Sequence, residues 1–348
     1  MRSAKIDLMT MEVETTSPPN LPPIGPPAVP PILQYLDGLV DQLRLHVASV
    51  IDAGPAESVH QARVTTRRLR AASDLLRPIL AGKSRERLNH VLRRVRRRLG
   101  AIRDLDVLTE HLAEFTSNPE PNPDIAPAAE WMCNELLPTR GLLLAAAQDD
   151  KTIARLLIKL APWGKVRGQI LAHAEAVDSL LAESLHDQID TFAARAAELA
   201  AAAPGVDPHA VRIAGKALRY TLELAAAHGH PLDESLFKTF KKMQDALGTW
   251  HDHVVLTEQA LQRSAERMLA HHDAPLQHKI LALAGVTLTE AEAQLAKFNR
   301  HWSEHGAGLV DSIRAAFPLS RPIDDTTEPK TDPDPADSAA PEVPDGPH

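Results

Sequence analysis

Residues 60–70 read His60-Gln61-Ala62-Arg63-Val64-Thr65-Thr66-Arg67-Arg68-Leu69-Arg70, and residues 209–219 read His209-Ala210-Val211-Arg212-Ile213-Ala214-Gly215-Lys216-Ala217-Leu218-Arg219. His, Arg, a base, Leu and Arg recur at the same offsets in the two stretches. The segments downstream agree as well. Arg93-Arg94, Leu99-Gly100, Asp104 and Val107-Leu108-Thr109-Glu110 in the first copy answer Lys241-Lys242, Leu247-Gly248, Asp252 and Val255-Leu256-Thr257-Glu258 in the second. An ordered duplication of this extent predicts two homologous helical bundles of about 140 residues, related by a pseudo-twofold axis.

Around the repeat, apolar residues return every three or four positions, as in Leu33, Leu36, Leu39, Val40 and Leu43, in Ile153, Leu156, Leu157 and Leu160, and in Leu181, Leu185, Ile189 and Phe192. That is the period of a helix with one buried face, and no stretch alternates as a half-buried strand would. The fold class is therefore all-α, with about ten helices. Gly and Pro mark helix ends at Gly54-Pro55, Gly82, Gly100, Pro119 to Pro127, Pro204-Gly205 and Gly229 to Pro231. Sixteen of the 28 prolines fall in the first or last 31 residues, so residues 1–31 and the acidic tail 318–348 are expected to be disordered. The folded part then spans 32–317, its first bundle about 32–160 and its second about 165–317.

The chain has 348 residues, 44% of them hydrophobic, which excludes a wholly disordered or collagenous protein. No run of about 18 apolar residues occurs, so neither a membrane span nor a signal core is expected. A single cysteine, Cys133, allows no internal disulfide, and its neighbours Trp131, Met132 and Leu136 suggest a core position in a cytoplasmic protein. The net charge of −8 argues against a polyanion ligand only if the charge is evenly spread. It is not. Residues 60–103 carry fourteen Arg and Lys against Asp74 and Glu86, while residues 321–348 carry eight acids against Arg321 and Lys330.

On a helix, positions 60, 63, 67 and 70 lie within about 80° of arc and span about 15 Å, so His60, Arg63, Arg67 and Arg70 share a face. His209, Arg212, Lys216 and Arg219 share one in the same way. Like charges at these spacings repel, and a merely solvated face would intersperse acids. Guanidinium forks without local counter-ions match the oxygens of a linear polyanion. Arg93, Arg96 and Arg97 in one half, with Lys238, Lys241 and Lys242 in the other, add a second basic helix to each copy. A solvated charged surface is the competing reading, and the recurrence of bases at matched offsets favours a ligand.

Seventeen histidines, among them His251, His253, His271, His272 and His278, raise the question of a metal. No HExxH or other compact ligand set is apparent, and no metal or cofactor is expected. His60 and His209 read as phosphate donors or as residues fixing a helix start. Asp104 and Asp252, after a Leu-Gly turn, read as N-caps or as partners of a nearby base such as Arg103 rather than as general bases. Gly-rich phosphate loops, GxSxG and Cys-His nucleophile patterns are missing, so the protein is not expected to be an enzyme.

Four segments, Val59 to Arg70, Leu99 to Val107, Lys216 to Tyr220 and Met243 to Asp252, together resemble the CHAD family, the conserved-histidine α-helical domain, over residues 32–317. The resemblance implies two pseudo-symmetric four-helix bundles whose basic residues line a shared surface. It also implies binding of inorganic polyphosphate, often at polyphosphate granules. Carried over onto this chain, the binding residues are His60, Arg63, Arg67, Arg68 and Arg70 with His209, Arg212, Lys216, Arg219, Lys241 and Lys242; Arg103, inside the second matching segment, joins them. Lys216 in place of an arginine, Gly215 at the position of Thr66, and His251 at the position of Arg103 predict an unequal contribution from the second copy. Many members carry an N-terminal triphosphate-tunnel domain, for which residues 1–31 leave no room.

The leading expectation is thus a non-enzymatic polyphosphate binder that does not act at a membrane. Nucleic acid is the alternative polyanion, disfavoured because aromatics are only 3% of the chain and none interleaves the basic stripe before Tyr220. A metal-dependent phosphohydrolase using Asp104 or Asp252 is the third possibility and lacks a compact ligand motif.

Overall fold

The computed structural model describes residues 29–117, 120–149, 160, 162–203, 205–270 and 274–319. Nine α-helices and no strands occur among them: α1 (Pro31–Asp52), α2 (Ala56–Leu75), α3 (Gly82–Thr116), α4 (Ala126–Gln148), α5 (Pro162–Ala172), α6 (Val177–Ala200), α7 (Pro208–Ala227), α8 (Glu234–Ala270) and α9 (Ala274–Ala316). The all-α expectation holds. Most of the expected disordered termini, residues 1–28 and 320–348, the helical pattern at Ile153 to Leu157, and His271 and His272 lie outside the described residues, while Pro31 already opens α1.

Each helix buries the stripe that its period predicts. In α1 the buried residues include Leu33, Leu36, Leu39, Val40, Leu43 and Val47, one face over four turns. Each such side chain contributes roughly 1.5–3 kcal/mol when fully removed from water. In α6, Leu181, Leu185, Ile189 and Phe192 do the same. These two stripes enter one core that draws on both halves of the sequence, joined by Leu69 of α2, Leu92 and Leu99 of α3, Leu218 of α7 and Phe240 of α8. A second, smaller core lies farther along the long helices. It is made by Leu108 and Leu112 of α3, Met132 and Leu136 of α4, Leu256 of α8 and Ile280 and Leu283 of α9. Both α3 and α8 run from the first core into the second, and α2 packs on α7.

Local chemistry explains most helix ends. Gly54, Gly205 and Gly229 sit at positive φ, which costs an L side chain strain and glycine little. Asp207 caps α7 by accepting the His209 N–H at 2.8 Å. Gly100 departs from expectation: it does not end a helix but lies inside α3, which is 35 residues long. The small residue serves a close approach instead, because a Cβ there would stand 3.3 Å from Arg63 Nη1. Gly248 likewise lies inside α8. Asp104 and Asp252 are consequently mid-helix and cap nothing. Cys133 is half-buried against the second core, its thiol 3.8 Å from the Thr109 carbonyl oxygen.

Candidate polyanion clefts

Where α3 and α8 pass from one core to the other they flank the contact of α2 with α7, and two adjoining clefts open there. The first, about 770 Å³, is lined by His60, Arg63, Arg67, Arg103 and Asp104 from the first copy of the repeat. Arg212, Lys216, His251 and Asp252 line it from the second. The other cleft, about 710 Å³, is lined by Arg63, Arg67, Arg70, Arg93, Arg96, Arg212, Lys216 and Tyr220, with one acid, Asp74, which pairs with Arg70 at 2.7 Å. Arg63, Arg67, Arg212 and Lys216 belong to both walls, so residues at matching offsets meet although 149 positions separate them.

Neutralisation is sparse. Arg63 is fixed from below: its Nη1 donates to the Gly100 carbonyl of α3 and lies 3.2 Å from Asp104 Oδ1. Arg103 stands 3.6 Å from Glu110. Asp252 is engaged by His111, with 3.8 Å between oxygen and Nε2. Among the described residues Arg67, Arg212 and Lys216 have neither an ion pair nor a side-chain hydrogen bond, and the buried Nε atoms of Arg63 and Arg212 have no acceptor. Burial, reinforced by Arg212 and Arg67, pushes the Lys216 amine down to about 7. Burial and then Arg212 push His251 to about 4. Burial likewise draws Arg212 and Arg63 below their ordinary value, and draws His60 down with help from Arg103. Burial works against ionisation of Asp252, but the nearby His111 and Arg212 outweigh it and hold its carboxyl low.

Cations such as Arg67, Arg212 and Lys216, which converge without a direct ion pair, raise each other's energy, and a bound anion would relieve that. The opposite edge of the α2–α7 contact shows the resolved alternative. There Arg68 and Arg219 share Glu223, at 2.7 and 3.0 Å. Both were expected on the ligand surface; neither lines a cleft, because an acid on α7 already holds them. His209 is exposed beside His251, ring centroids 5.1 Å apart, and lines neither cleft. Lys238 pairs with Glu234 at 2.7 Å. Arg97, Lys241 and Lys242 are exposed and also lie outside both clefts. The structure brings together eight of the expected residues: His60, Arg63, Arg67, Arg70, Arg93, Arg103, Arg212 and Lys216.

Three residues of the first cleft, Asp104, His251 and Asp252, were not expected as ligand contacts, although the alignment of His251 with Arg103 could have flagged it. A compact set of metal-binding type was overlooked as well: His301, Glu304 and His305 on α9 bring three donor atoms within 4.8 Å of one another. Its signal is the spacing His-x-x-Glu-His, which a search for HExxH passes over. No described helix is long and apolar enough to cross a membrane.

A family model for the CHAD domain matches residues 34–262. Among solved structures, the crystal structure of the CHAD domain from the plant Ricinus communis aligns over 84% of this chain and 91% of its own, with a TM-score of 0.53 and 21% identity. No curated protein matches the chain in sequence.

Proposed function

Because the chain belongs to the CHAD family, we propose that it binds inorganic polyphosphate in the two adjoining clefts, without catalysis, and acts in the cytoplasm on polyphosphate granules. One observation carries this reading: Arg67, Arg212 and Lys216, drawn from both copies of the repeat, converge without a direct ion pair among the described residues, Asp252 of the same cleft acting on Arg212 and Lys216 only at longer range. The contrast with Arg68 and Arg219, which share Glu223, supports assigning the unneutralised set to a ligand. A linear chain of phosphates offers one charge per unit at short spacing, which a row of guanidinium forks meets without reading any base edge. The single aromatic at the clefts, Tyr220, offers no platform for successive bases, which disfavours single-stranded nucleic acid.

The test is a titration of the full chain with long-chain polyphosphate and with single-stranded DNA of equal charge, over a salt series. Affinity for polyphosphate should exceed that for DNA and fall steeply as salt rises, since neutralised phosphates release counter-ions. Arg67→Ala and Arg212→Ala together should weaken binding more than either alone. Equal affinity for the two polymers would leave only a general polyanion surface. Affinity indifferent to salt, or to the double substitution, would overturn the reading.

A further inference from the structure

We infer that His301, Glu304 and His305 form a binding site for a divalent transition-metal ion, separate from the polyanion clefts. All three stand on α9 at relative positions 0, 3 and 4, which places them within about 100° of arc on one face. Their donor atoms lie within 4.8 Å of one another. The two imidazole rings are nearly parallel, 22° apart with centroids at 6.4 Å, and His305 Nε2 is 3.6 Å from Glu304 Oε2.

A metal ion holds imidazole and carboxylate donors at about 2.0–2.2 Å each, which puts neighbouring donors about 3.3 Å apart in a tetrahedral shell. Closing from 4.8 Å needs only small side-chain rotations, and these side chains have room for them: Glu304 and His305 are more than half exposed. The backbone beneath them has no such freedom. Trp302, between the donors in sequence, packs edge-on against Phe192 of α6 at 5.6 Å and joins the first core. Its ring also covers Gly306 so closely that a Cβ there would stand 2.7 Å away. That packing fixes the rotation of α9 and keeps both histidines on the outer face. The site is thus a rigid base carrying adjustable ligands, with its remaining coordination positions open to solvent.

Donor chemistry sets the class of ion. Two imidazoles and one carboxylate, with no thiolate, suit Zn²⁺, Ni²⁺, Cu²⁺ or Co²⁺. Mg²⁺ and Ca²⁺ prefer oxygen shells and are poorly served by two nitrogens. None of the three residues lines either cleft, so the site stands independently of the proposed polyphosphate function.

The experiment is calorimetric titration of the full chain, carrying no polyhistidine tag, with Zn²⁺, paired with Co²⁺ absorption to report the ligand set. One ion should bind per chain with a saturable heat that millimolar Mg²⁺ leaves unchanged. His301→Ala and His305→Ala should each weaken binding by about tenfold or more, since each removes one of three ligands. His90→Ala, an exposed histidine on α3, should leave it unchanged. Thermal melts of the His305→Ala and His90→Ala variants should coincide with the wild type without metal, because these side chains are solvent-facing, and that of His301→Ala, whose side chain is half-buried, should shift only slightly. No saturable one-to-one binding, or binding retained in the His301→Ala/His305→Ala double variant, would overturn the site.

Discussion

Arg68 and Glu223, 155 residues apart, meet at 2.7 Å and tie α2 to α7, while Arg219 holds the other carboxylate oxygen at 3.0 Å. The carboxylate is largely buried, its side chain 14% exposed, and is shared by two arginines of the repeat. Charges of the same type therefore do two different jobs on one pair of helices. On one edge Arg68 and Arg219 are neutralised and join the copies; at the clefts Arg67 and Arg212 stand without an ion pair among the described residues.

Glu223 consequently governs stability rather than affinity. Glu223→Ala leaves two partly buried guanidinium groups without their acid and should cost about 3–5 kcal/mol, the range for breaking a buried ion pair, less some relief from solvent. Burial disfavours the Arg68 charge, but the hydrogen bond and charge of Glu223 outweigh it, which is the interaction that the substitution removes. The urea midpoint should fall, and polyphosphate affinity of the remaining folded protein should change little. A large loss of affinity with an unchanged midpoint would refute this division of labour.

Much of this was legible in the chain. The period of Leu33 to Val47 gave α1 its buried face, and matched offsets picked out Arg63, Arg67, Arg212 and Lys216, which meet in space. What local patterning could not supply was the partner of each charge. Arg67 and Arg68 are neighbours in sequence, yet about 100° of helical rotation turns one to the cleft and the other to Glu223. Gly100 looked like a helix end because glycine usually weakens helices, but here it clears space for a guanidinium from another helix. Asp104 was read with its neighbour Arg103, whereas its partner is Arg63, 41 residues earlier. Such pairings depend on packing between helices, and sequence spacing alone carries no trace of them.

Lys216 should make both stability and binding depend on pH. Its amine is pushed from its ordinary 10.5 to about 7 in the folded protein. Between about pH 7 and 10.5 the unfolded chain therefore holds more protons at this site than the folded one, so the site's contribution to stability rises with pH across that window. Below it both states are charged and the penalty is constant. Lys216→Met should remove this slope. A polyanion beside the amine favours its charged form, so polyphosphate binding at pH 8 should draw a proton from the buffer. Calorimetry in two buffers of different ionisation enthalpy reads that uptake directly. It should be present in the wild type and lost in Lys216→Arg; equal heats in both buffers for the wild type would refute it.

Gly215 marks where the second copy of the repeat diverges, standing where the first has Thr66. In the first copy, Thr66 Oγ1 donates to the Arg63 carbonyl at 2.7 Å within α2. In the second, the amide of Gln244, from α8, occupies the corresponding space: a Cβ on Gly215 would stand 1.8 Å from Gln244 Nε2. Gln244 is buried, 5% exposed, and neither of its amide atoms has a hydrogen-bond partner among the described residues. Gly215→Ala must therefore displace a side chain that has little room to move, at about 1–3 kcal/mol. Gln244→Ala empties the contact and removes an unsatisfied amide, so it should be far less damaging than its burial suggests. The double variant should be more stable than the sum of the single changes predicts, because the collision exists only when both side chains are present. Denaturant melts of the four proteins measure this coupling, and strict additivity would show that Gly215 is required by something other than Gln244.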